Sequence, residues 1–235
     1  MTDRLYLRGG YVWEFDAVVA ATGDAEVALD RTAFFPGGGG QPADTGWLRW
    51  GTAERTVVGS RTDGQVVWHR LEGLPPAIGE RVRGALDWER RYAIMRHHSA
   101  LHVLVGAVYR LFGALVTGGA IHPDRARMDF SLEDLNPQRV AAIEEEANRV
   151  IAADLPIRVR FVSREEFERS DLLRLARNRI PQGLDPVRVV EIEGYDAQAD
   201  GGTHVARTGE IGALRVVRTD NKGRVNRRIE IALAP

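Results

Sequence analysis

The chain has 235 residues, enough for one large or two small domains, and its 44% hydrophobic and 28% charged residues are typical of a folded globular protein. It contains no cysteine, which excludes disulfides, thiolate nucleophiles and cysteine metal ligands. The net charge of −1 indicates no nucleic-acid partner by itself, and without a long apolar run or a signal pattern we expect a cytoplasmic protein with no membrane partner.

Residues 1–86 are predicted to form a small β-barrel. Short apolar runs alternate with turn residues, and Asp63-Gly64 between two such runs indicates a hairpin. Breaks are expected at Gly51 and at Gly59-Ser60. Several short strands with regular turns are typical of a barrel. The predicted strands are Tyr11–Ala21, Ala25–Leu29, Trp47–Trp50, Arg55–Val58, Gln65–Leu71 and Arg81–Leu86.

Residues 87–235 are predicted to form an α+β domain. Asp87 can cap a helix that begins at Trp88 and continues towards Phe112. Asn136-Pro137 is a cap followed by proline at the first helical position, which predicts a second helix. Strands mixed with two helices give the α+β class. The predicted strands are Ala126–Leu132, Ile157–Val162, Val187–Ile192, Ile211–Val217 and Asn226–Leu233.

A histidine pair on the first predicted helix suggests a metal site. His98 and His102 are four residues apart, so both lie on one helix face and can bind one ion. His97 is rotated by about 100° from His98 and is a poorer ligand candidate. The alternative is two core histidines satisfied by hydrogen bonds. A zincin protease is excluded because Ser99 stands where that motif requires glutamate.

The loop Asp200-Gly201-Gly202-Thr203-His204 supplies two further candidate ligands. Its glycines favour a tight bend that brings a carboxylate and an imidazole together. With the histidine pair this gives four ligands, or three ligands and a water molecule. Asp196 is a spare acidic candidate, and an ordinary turn is the alternative interpretation.

A second glycine-rich segment runs from Phe34 to Pro42. It is not a nucleotide-binding P-loop, because no Gly-Lys-Ser/Thr follows. Gly38, Gly39 and Gly40 would let the backbone approach a ligand closely or present N–H groups to an anion. An ordinary surface loop is the alternative.

The stretch 215–228 carries six cations against one acidic residue, a net charge of +5. Arginine suits bidentate phosphate contacts, so we weigh a phosphate-binding surface against a solvated pair of strands. The six cations are Arg215, Arg218, Lys222, Arg224, Arg227 and Arg228.

Together these stretches resemble the editing module of alanyl-tRNA synthetase and its freestanding AlaX-type relatives. The resemblance rests on Phe34–Gly46, on Arg96–His102 and on Asp200–Gly212, supported by Ala126–Phe130 and Lys222–Ile229. It covers nearly the whole chain in the right order. The length resembles that of members with an extra N-terminal barrel.

The resemblance implies an ATP-independent hydrolase that maintains translation fidelity by deacylating mischarged tRNA-Ala, chiefly Ser-tRNA-Ala and also Gly-tRNA-Ala. It implies one zinc ion on His98, His102 and His204. Asp200 stands where the family usually has cysteine, and we expect its carboxylate to be the fourth ligand. Metal preference is open at this point, because a carboxylate is a harder ligand than a thiolate.

The resemblance also implies the substrate contacts. Gln41 matches the editing pocket, Thr203 is a second catalytic candidate, and the glycine loop is expected against the metal site at the junction of the domains. Lys222, Arg224, Arg227 and Arg228 are expected to bind the acceptor end of the tRNA. Two alternatives stay open: a tRNA-binding module without metal or turnover, and a hydrolase of small aminoacyl esters or amides. The sequence predicts no oligomeric state.

Overall fold

A computed structural model describes residues 1–175, 180 and 183–234. The chain divides into two compact units, Met1–Ile94 and Met95–Pro235, and the boundary falls within helix α1 (Trp88–Phe112). The predicted α+β class is confirmed, with a small barrel formed by N-terminal strands and mixed helices and strands after it.

The first unit contains a closed barrel with the strand order β2-β3-β7-β6-β5-β8. Closure leaves no unpaired sheet edge, and alternate residues of β2, beginning with Phe15, point into the barrel core. The strands of this unit are β1 (Asp3–Arg4), β2 (Glu14–Thr22), β3 (Glu26–Leu29), β4 (Arg31–Thr32), β5 (Gly46–Trp50), β6 (Ala53–Asp63), β7 (Val66–Leu71) and β8 (Arg81–Leu86).

The hairpin predicted at Asp63-Gly64 is confirmed. Asp63 pairs with Val66, and Gly64 adopts a φ of +57°, which glycine tolerates without strain. The break predicted at Gly59-Ser60 is wrong, because β6 continues through both residues to Asp63. A register shift between Val57 and Gly59 leaves Val58 as the extra residue of a bulge just before the glycine.

The second unit contains two antiparallel sheets, with strand orders β14-β15-β10-β9 and β11-β12-β13. Its strands are β9 (Val116–Ile121), β10 (Ala126–Phe130), β11 (Ile157–Val162), β12 (Val187–Ile192), β13 (Asp196–Ala199), β14 (Leu214–Asn221) and β15 (Arg227–Leu233). Its further helices are α2 (Pro137–Ala152) and the short α3 (Arg164–Arg169). Among the described residues, no helix has the length and apolarity needed to cross a lipid bilayer.

Both predicted helix caps are confirmed. The Asp87 carboxylate accepts a hydrogen bond of 3.2 Å from the N–H of Arg90, and the Asn136 side chain accepts one of 2.9 Å from the N–H of Arg139. Each cap satisfies a backbone donor that has no partner within its helix. Helix α1 is buried without interruption over residues 97–108, so side chains on every face of this stretch are enclosed.

Two strands and one helix of the second unit were missed. Strand β9 contains Gly118 and Gly119, which weaken its sequence signal, yet a Cβ at Gly119 would lie 2.9 Å from the Met128 sulfur. Close packing against Met128 therefore explains why residue 119 is a glycine. Helix α3 and strand β13 are only 6 and 4 residues long, too short for a clear period. The strand predicted from Ile211 begins at Leu214 instead.

Candidate metal centre

Four side chains of the second unit converge on one point. His98 and His102 come from α1, and Asp200 and His204 come from the loop after β13. One potential ligand atom of each residue lies within 4.8 Å of those of the other three. The imidazole centroids are 4.2 Å apart for His98 and His204 and 4.5 Å apart for His102 and His204. The structure thus joins two motifs that lie about a hundred residues apart in sequence.

Local backbone geometry explains this convergence. His98 and His102 are separated by one helical turn, which places their rings side by side. On the loop, the Asp200 carboxylate accepts a hydrogen bond of 2.6 Å from the N–H of Gly202, which closes a tight turn. The turn leaves the Asp200 carboxylate 3.0 Å from Nε2 of His204.

The donor set fits a first-row metal ion such as zinc. Three imidazole nitrogens and one carboxylate oxygen are common zinc ligands, with bonds of about 2.0–2.2 Å. Tetrahedral ligands at such bond lengths stand roughly 3.4 Å apart. The Asp200 carboxylate lies 3.5 Å from Nε2 of His98 and 3.0 Å from Nε2 of His204, close to that spacing.

The protonation states also suit a metal ion. Burial, followed by the neighbouring His204, holds the pKa of His102 well below its usual value, and burial lowers the pKa of His204 to about 4. Burial raises the pKa of the Asp200 carboxyl, but His98 and His204 outweigh this and keep it well below its usual value. Deprotonated imidazoles and an ionised carboxylate are the forms that bind metal.

Ser99 supports the group and was missed as a functional residue. Its hydroxyl oxygen lies 3.2 Å from Nδ1 of His204 and accepts a hydrogen bond of 3.1 Å from the N–H of Val205. Since Nε2 of His204 faces Asp200, Nδ1 is the nitrogen left to contact Ser99. Such a contact fixes the tautomer and orientation of a ligand imidazole. In the sequence, Ser99 was noted only because it follows His98 where a zincin protease has glutamate. That position gives no sign of its contact with His204.

Arg188 on β12 is a second residue that was missed. It is buried, its guanidinium donates a hydrogen bond of 2.8 Å to the Asp200 carbonyl, and it lies 3.7 Å from the Asp200 carboxylate. Arg188 therefore holds the backbone at the first residue of the ligand loop. It also places a positive charge beside the carboxylate.

Of the other candidate residues, Asp196 and His97 lie outside the group and Thr203 lies next to one of its members. Asp196, the spare acidic candidate, is buried in an ion pair of 2.9 Å with Arg174 and does not belong to the group. His97 is buried but also lies outside the group. Thr203 is fully buried between Gly202 and His204.

Comparison with known proteins identifies the family. Residues 187–230 match the family described as the threonyl and alanyl tRNA synthetase second additional domain, and residues 11–90 match class II (A) tRNA synthetases. The alanyl-tRNA editing protein AlaX-M of Saccharolobus solfataricus is 38% identical over 238 residues, which cover 100% of both chains. The chain belongs to the AlaX-M family of alanyl-tRNA editing proteins. The AlaX-M protein of Methanosarcina acetivorans is 40% identical over 99% of each chain.

This member of the AlaX-M family also resembles part of a larger enzyme. It is 42% identical to the alanine–tRNA ligase of Thermofilum pendens over 221 residues. The matched region covers 92% of this chain and 24% of the ligase. The similarity is therefore to one segment of the ligase.

The glycine-rich loop of the first unit forms a tight turn. The backbones of Gly38 and Gln41 exchange two hydrogen bonds of 3.0 Å. Gly39 and Gly40, between them, have φ angles of +61° and +92°, which disfavour any residue with a side chain. A Cβ at Gly39 would meet no atom within 4 Å, so backbone conformation rather than crowding accounts for this glycine. The Gln41 side chain is buried.

A buried ion pair anchors the base of this loop. The N–H of Phe35 donates a hydrogen bond of 2.6 Å to the Asp44 carboxylate, and the N–H of Asp44 donates one of 3.0 Å to the Phe35 carbonyl. Arg91 is fully buried, binds the Asp44 carboxylate, and also donates to the carbonyls of Gly10 and Ala33. Both ends of the loop are thereby fixed.

The basic residues of the β14–β15 hairpin fall into two groups. Arg228 forms a two-pronged ion pair of 2.7 and 2.8 Å with Asp129, and Arg227 donates to backbone carbonyls including that of Asn226. Lys222 and Arg224 are exposed and form no ion pair within the part of the chain that the structure describes. Arg215 on β14 is likewise exposed and outside the ion pairs of the described residues, whereas Arg218 pairs with Asp220 at 3.0 Å. The unpaired hairpin charge therefore lies on Arg215, Lys222 and Arg224.

Proposed function

We propose that this AlaX-M family member is a metal-dependent hydrolase that deacylates mischarged tRNA-Ala carrying serine or glycine. The observation that carries the proposal is the buried group of three histidines and Asp200, whose spacing and protonation suit one ion. Full-length relatives named alanyl-tRNA editing proteins supply the substrate class. Neither this buried group nor the similarity to these relatives requires an observed contact with tRNA.

The reaction is hydrolysis of the ester between the amino acid and the terminal ribose. Water forms a bond to the carbonyl carbon, the bond from that carbon to the ribose oxygen breaks, and the ribose hydroxyl takes up a proton. The chemistry supplied by an ion in this group is polarisation of the carbonyl or activation of the water. Zinc is the ion we propose, since the histidine-rich donor set suits it.

The residues of the group divide the work. His98 and His102, held on one buried helix, provide a rigid side of the site. Asp200 and His204 provide the other side from a loop that Arg188 and Ser99 hold in place. A rigid set of ligands keeps the reacting groups aligned at little entropic cost.

Selectivity requires a polar contact that alanine cannot make. We assign this contact to Gln41, whose amide can donate and accept hydrogen bonds. A site built to bind a substrate hydroxyl can reject the analogue without it by about four orders of magnitude. The support within this chain is the anchored glycine turn that holds Gln41 at its end. Thr203, next to the ligand His204, is the second candidate.

Binding of the tRNA acceptor end is assigned first to Lys222 and Arg224. Both are exposed, and neither is committed to an ion pair among the described residues. Arg227 and Arg228, the other two predicted phosphate ligands, shape the hairpin that presents them. Phosphates attract such free cations at a distance and bind them on contact.

The deciding experiment combines metal analysis of the purified full chain with deacylation of Ser-tRNA-Ala. We expect about one zinc ion per chain, release of serine, and far slower release of alanine from Ala-tRNA-Ala. Chelation, or the change His98→Ala, should abolish both metal binding and serine release. Undiminished hydrolysis after metal removal would overturn metal dependence.

The same experiment separates the two other functions. Tight tRNA binding without serine release would make the protein a binding module. Equal rates on Ser-tRNA-Ala and on a small seryl ester would make it a small-ester hydrolase.

A further inference from the structure

Three residues form a row across the three-stranded sheet. Phe161 on β11 lies directly opposite Arg188 on β12. Beyond β13, the N–H of Asp200 donates to the Arg188 carbonyl at 3.2 Å and continues the ladder past the last strand pair. Neighbouring strands are about 4.8 Å apart, so the backbones of Phe161 and Asp200 are separated by roughly 10 Å.

The Phe161 ring lies on the same face of the sheet as the Asp200 carboxylate. Asp200 belongs to the group of His98, His102, Asp200 and His204, which we call the metal group. Directly opposed residues of antiparallel strands project to the same face, and the Arg188 side chain reaches Asp200 on that face. Val159, two residues before Phe161, also projects there. We call Val159 and Phe161 the apolar ledge.

The apolar ledge is exposed although its strand partners are buried. Phe161 is 48% exposed and Val159 is 37% exposed, while the residues opposite them, Arg188 and Val190, are buried. Strand β11 is an edge strand of its sheet. Phe161 is the most exposed of the aromatic side chains that the structure describes in the second unit.

The other face of this sheet already has its core. Val162, Phe167, Val187 and Val189 form a buried cluster that includes helix α3. Phe161 projects to the opposite side of the sheet, so it does not belong to that cluster. An exposed aromatic residue beside a candidate active site points to a ligand.

We propose that the apolar ledge binds the terminal nucleobase of the aminoacyl-tRNA by stacking it on the Phe161 ring. This inference rests on the proposed function. The ester and the base are attached to the same ribose, so only a few covalent bonds separate them. A substrate whose ester is at the metal group must place its base within a nucleoside's length of that group. The row from Asp200 through Arg188 leads across that distance to Phe161.

The chemistry of the apolar ledge suits stacking. Every base offers a π-face to an aromatic ring, and such a contact contributes about 1–3 kcal/mol per base. The proposed occupant of the ledge is therefore the terminal base of the tRNA substrate. A second copy of the chain added along the edge of β11 is the competing occupant.

The test compares the full-length variants Phe161→Ala, Phe161→Trp and Leu111→Ala. Leu111 is an exposed apolar residue near the end of α1, outside the metal group and the basic hairpin, and serves as the matched control. Phe161→Ala should raise the KM for Ser-tRNA-Ala by about 5- to 150-fold with little change in kcat, the range that loss of one stacked base predicts. Phe161→Trp should retain the wild-type KM. Hydrolysis of a seryl methyl ester, which has no base, should be unchanged in all three variants.

A direct probe is tRNA-Ala with 2-aminopurine as its terminal base. Stacking quenches this fluorophore, so quenching on binding should occur with the wild type and Leu111→Ala and disappear with Phe161→Ala. Equal KM and equal quenching in Phe161→Ala and Leu111→Ala would overturn the inference. A dimer that Phe161→Ala converts to a monomer in sedimentation would assign the ledge to a second copy and also overturn it. If the wild type released no serine from tRNA, the proposed function would fail, whereas serine release with a normal Phe161→Ala would sink this inference alone.

Discussion

Ser99 and His204 are linked by a contact of 3.2 Å between the serine hydroxyl oxygen and Nδ1 of the imidazole. The same oxygen accepts a hydrogen bond from the backbone N–H of Val205. The loop that carries His204 therefore holds the Ser99 hydroxyl in position. If Nε2 held a metal ion, Nδ1 would carry the ring proton and donate a hydrogen bond to the Ser99 oxygen. We therefore expect Ser99 to act as a positioning residue for His204.

Ser99→Ala should weaken zinc binding by about 10- to 100-fold, the usual cost of losing a partner of a ligand histidine. A titration with a competing chelator measures this change without reference to activity. Ser99→Thr retains the hydroxyl and should restore most of the affinity. Wild-type zinc affinity in Ser99→Ala would show that the loop alone holds His204.

Replacing Asp200 tests whether its carboxylate is a ligand. Asp200→Cys should tighten zinc binding about tenfold or more, because a thiolate is a softer ligand that zinc prefers. Asp200→Asn should weaken it, since a neutral amide donates less charge. The control is Asp196→Asn, which changes a carboxylate already paired with Arg174 and should leave zinc affinity unaltered.

The two groups of hairpin cations should behave differently when neutralised. The double change of Lys222 and Arg224 to Gln should weaken tRNA binding and reduce the slope of log K against log salt by about 1–2. The seryl methyl ester should be hydrolysed normally.

Arg228→Gln should instead lower the melting temperature, because the mostly buried Asp129 carboxylate loses its two-pronged partner and keeps the more distant Arg127 at 3.6 Å. An unchanged salt slope in the double variant, with a reduced slope and normal melting in Arg228→Gln, would reverse the assignment of the two groups.

Gln41→Ala should slow deacylation of Ser-tRNA-Ala by about threefold to a hundredfold, the cost of one lost hydrogen bond in a desolvated pocket. Zinc content should be normal. Gly-tRNA-Ala has no hydroxyl to lose and should be affected less, so the ratio of the two rates is the measurement. An equal fall on both substrates would move the selectivity argument to Thr203.

The barrel should lose stability in mild acid because of His69. Burial lowers the pKa of His69 to about 4; its Nδ1 donates to the Val27 carbonyl and its Nε2 contacts the Thr32 hydroxyl. The unfolded chain binds a proton near pH 6.5 and the folded chain only near pH 4. The stabilisation is thus complete above pH 6.5 and falls as the pH drops towards 4, by about 2 kcal/mol at pH 5.

Tryptophan fluorescence can measure this loss, because all five tryptophans lie in Met1–Ile94. Unfolding of the full chain in denaturant at pH 7.5 and pH 5 should show the decrease. His69→Gln has no titrating ring and should reduce the difference between the two pH values. An identical pH dependence in both proteins would assign the effect to other groups.

Much of the fold and of the metal group was predictable because local rules determine them. Helical period placed His98 and His102 on one face, and cap residues fixed the starts of α1 and α2. The glycines after Asp200 indicated the turn that returns His204 to the pair. Each of these signals lies within five residues of sequence.

Ser99, Arg188 and Phe161 could not be assigned in that way. The role of Ser99 depends on a loop 105 residues later in the chain, and those of Arg188 and Phe161 depend on which strands pair and in which register. A register shift of one residue would turn Phe161 to the opposite face. Tertiary pairing, which the sequence does not display, therefore decides all three.

The carboxylate of Asp200 also determines how the group responds to oxidants. Thiolate ligands are converted by peroxide to sulfenic and sulfinic acids, which no longer hold a metal in the same way. Nitrogen and oxygen donors have no such reaction, and this chain has no cysteine anywhere. An ion held by this group would therefore be retained during oxidative stress that would empty a site of the cysteine type.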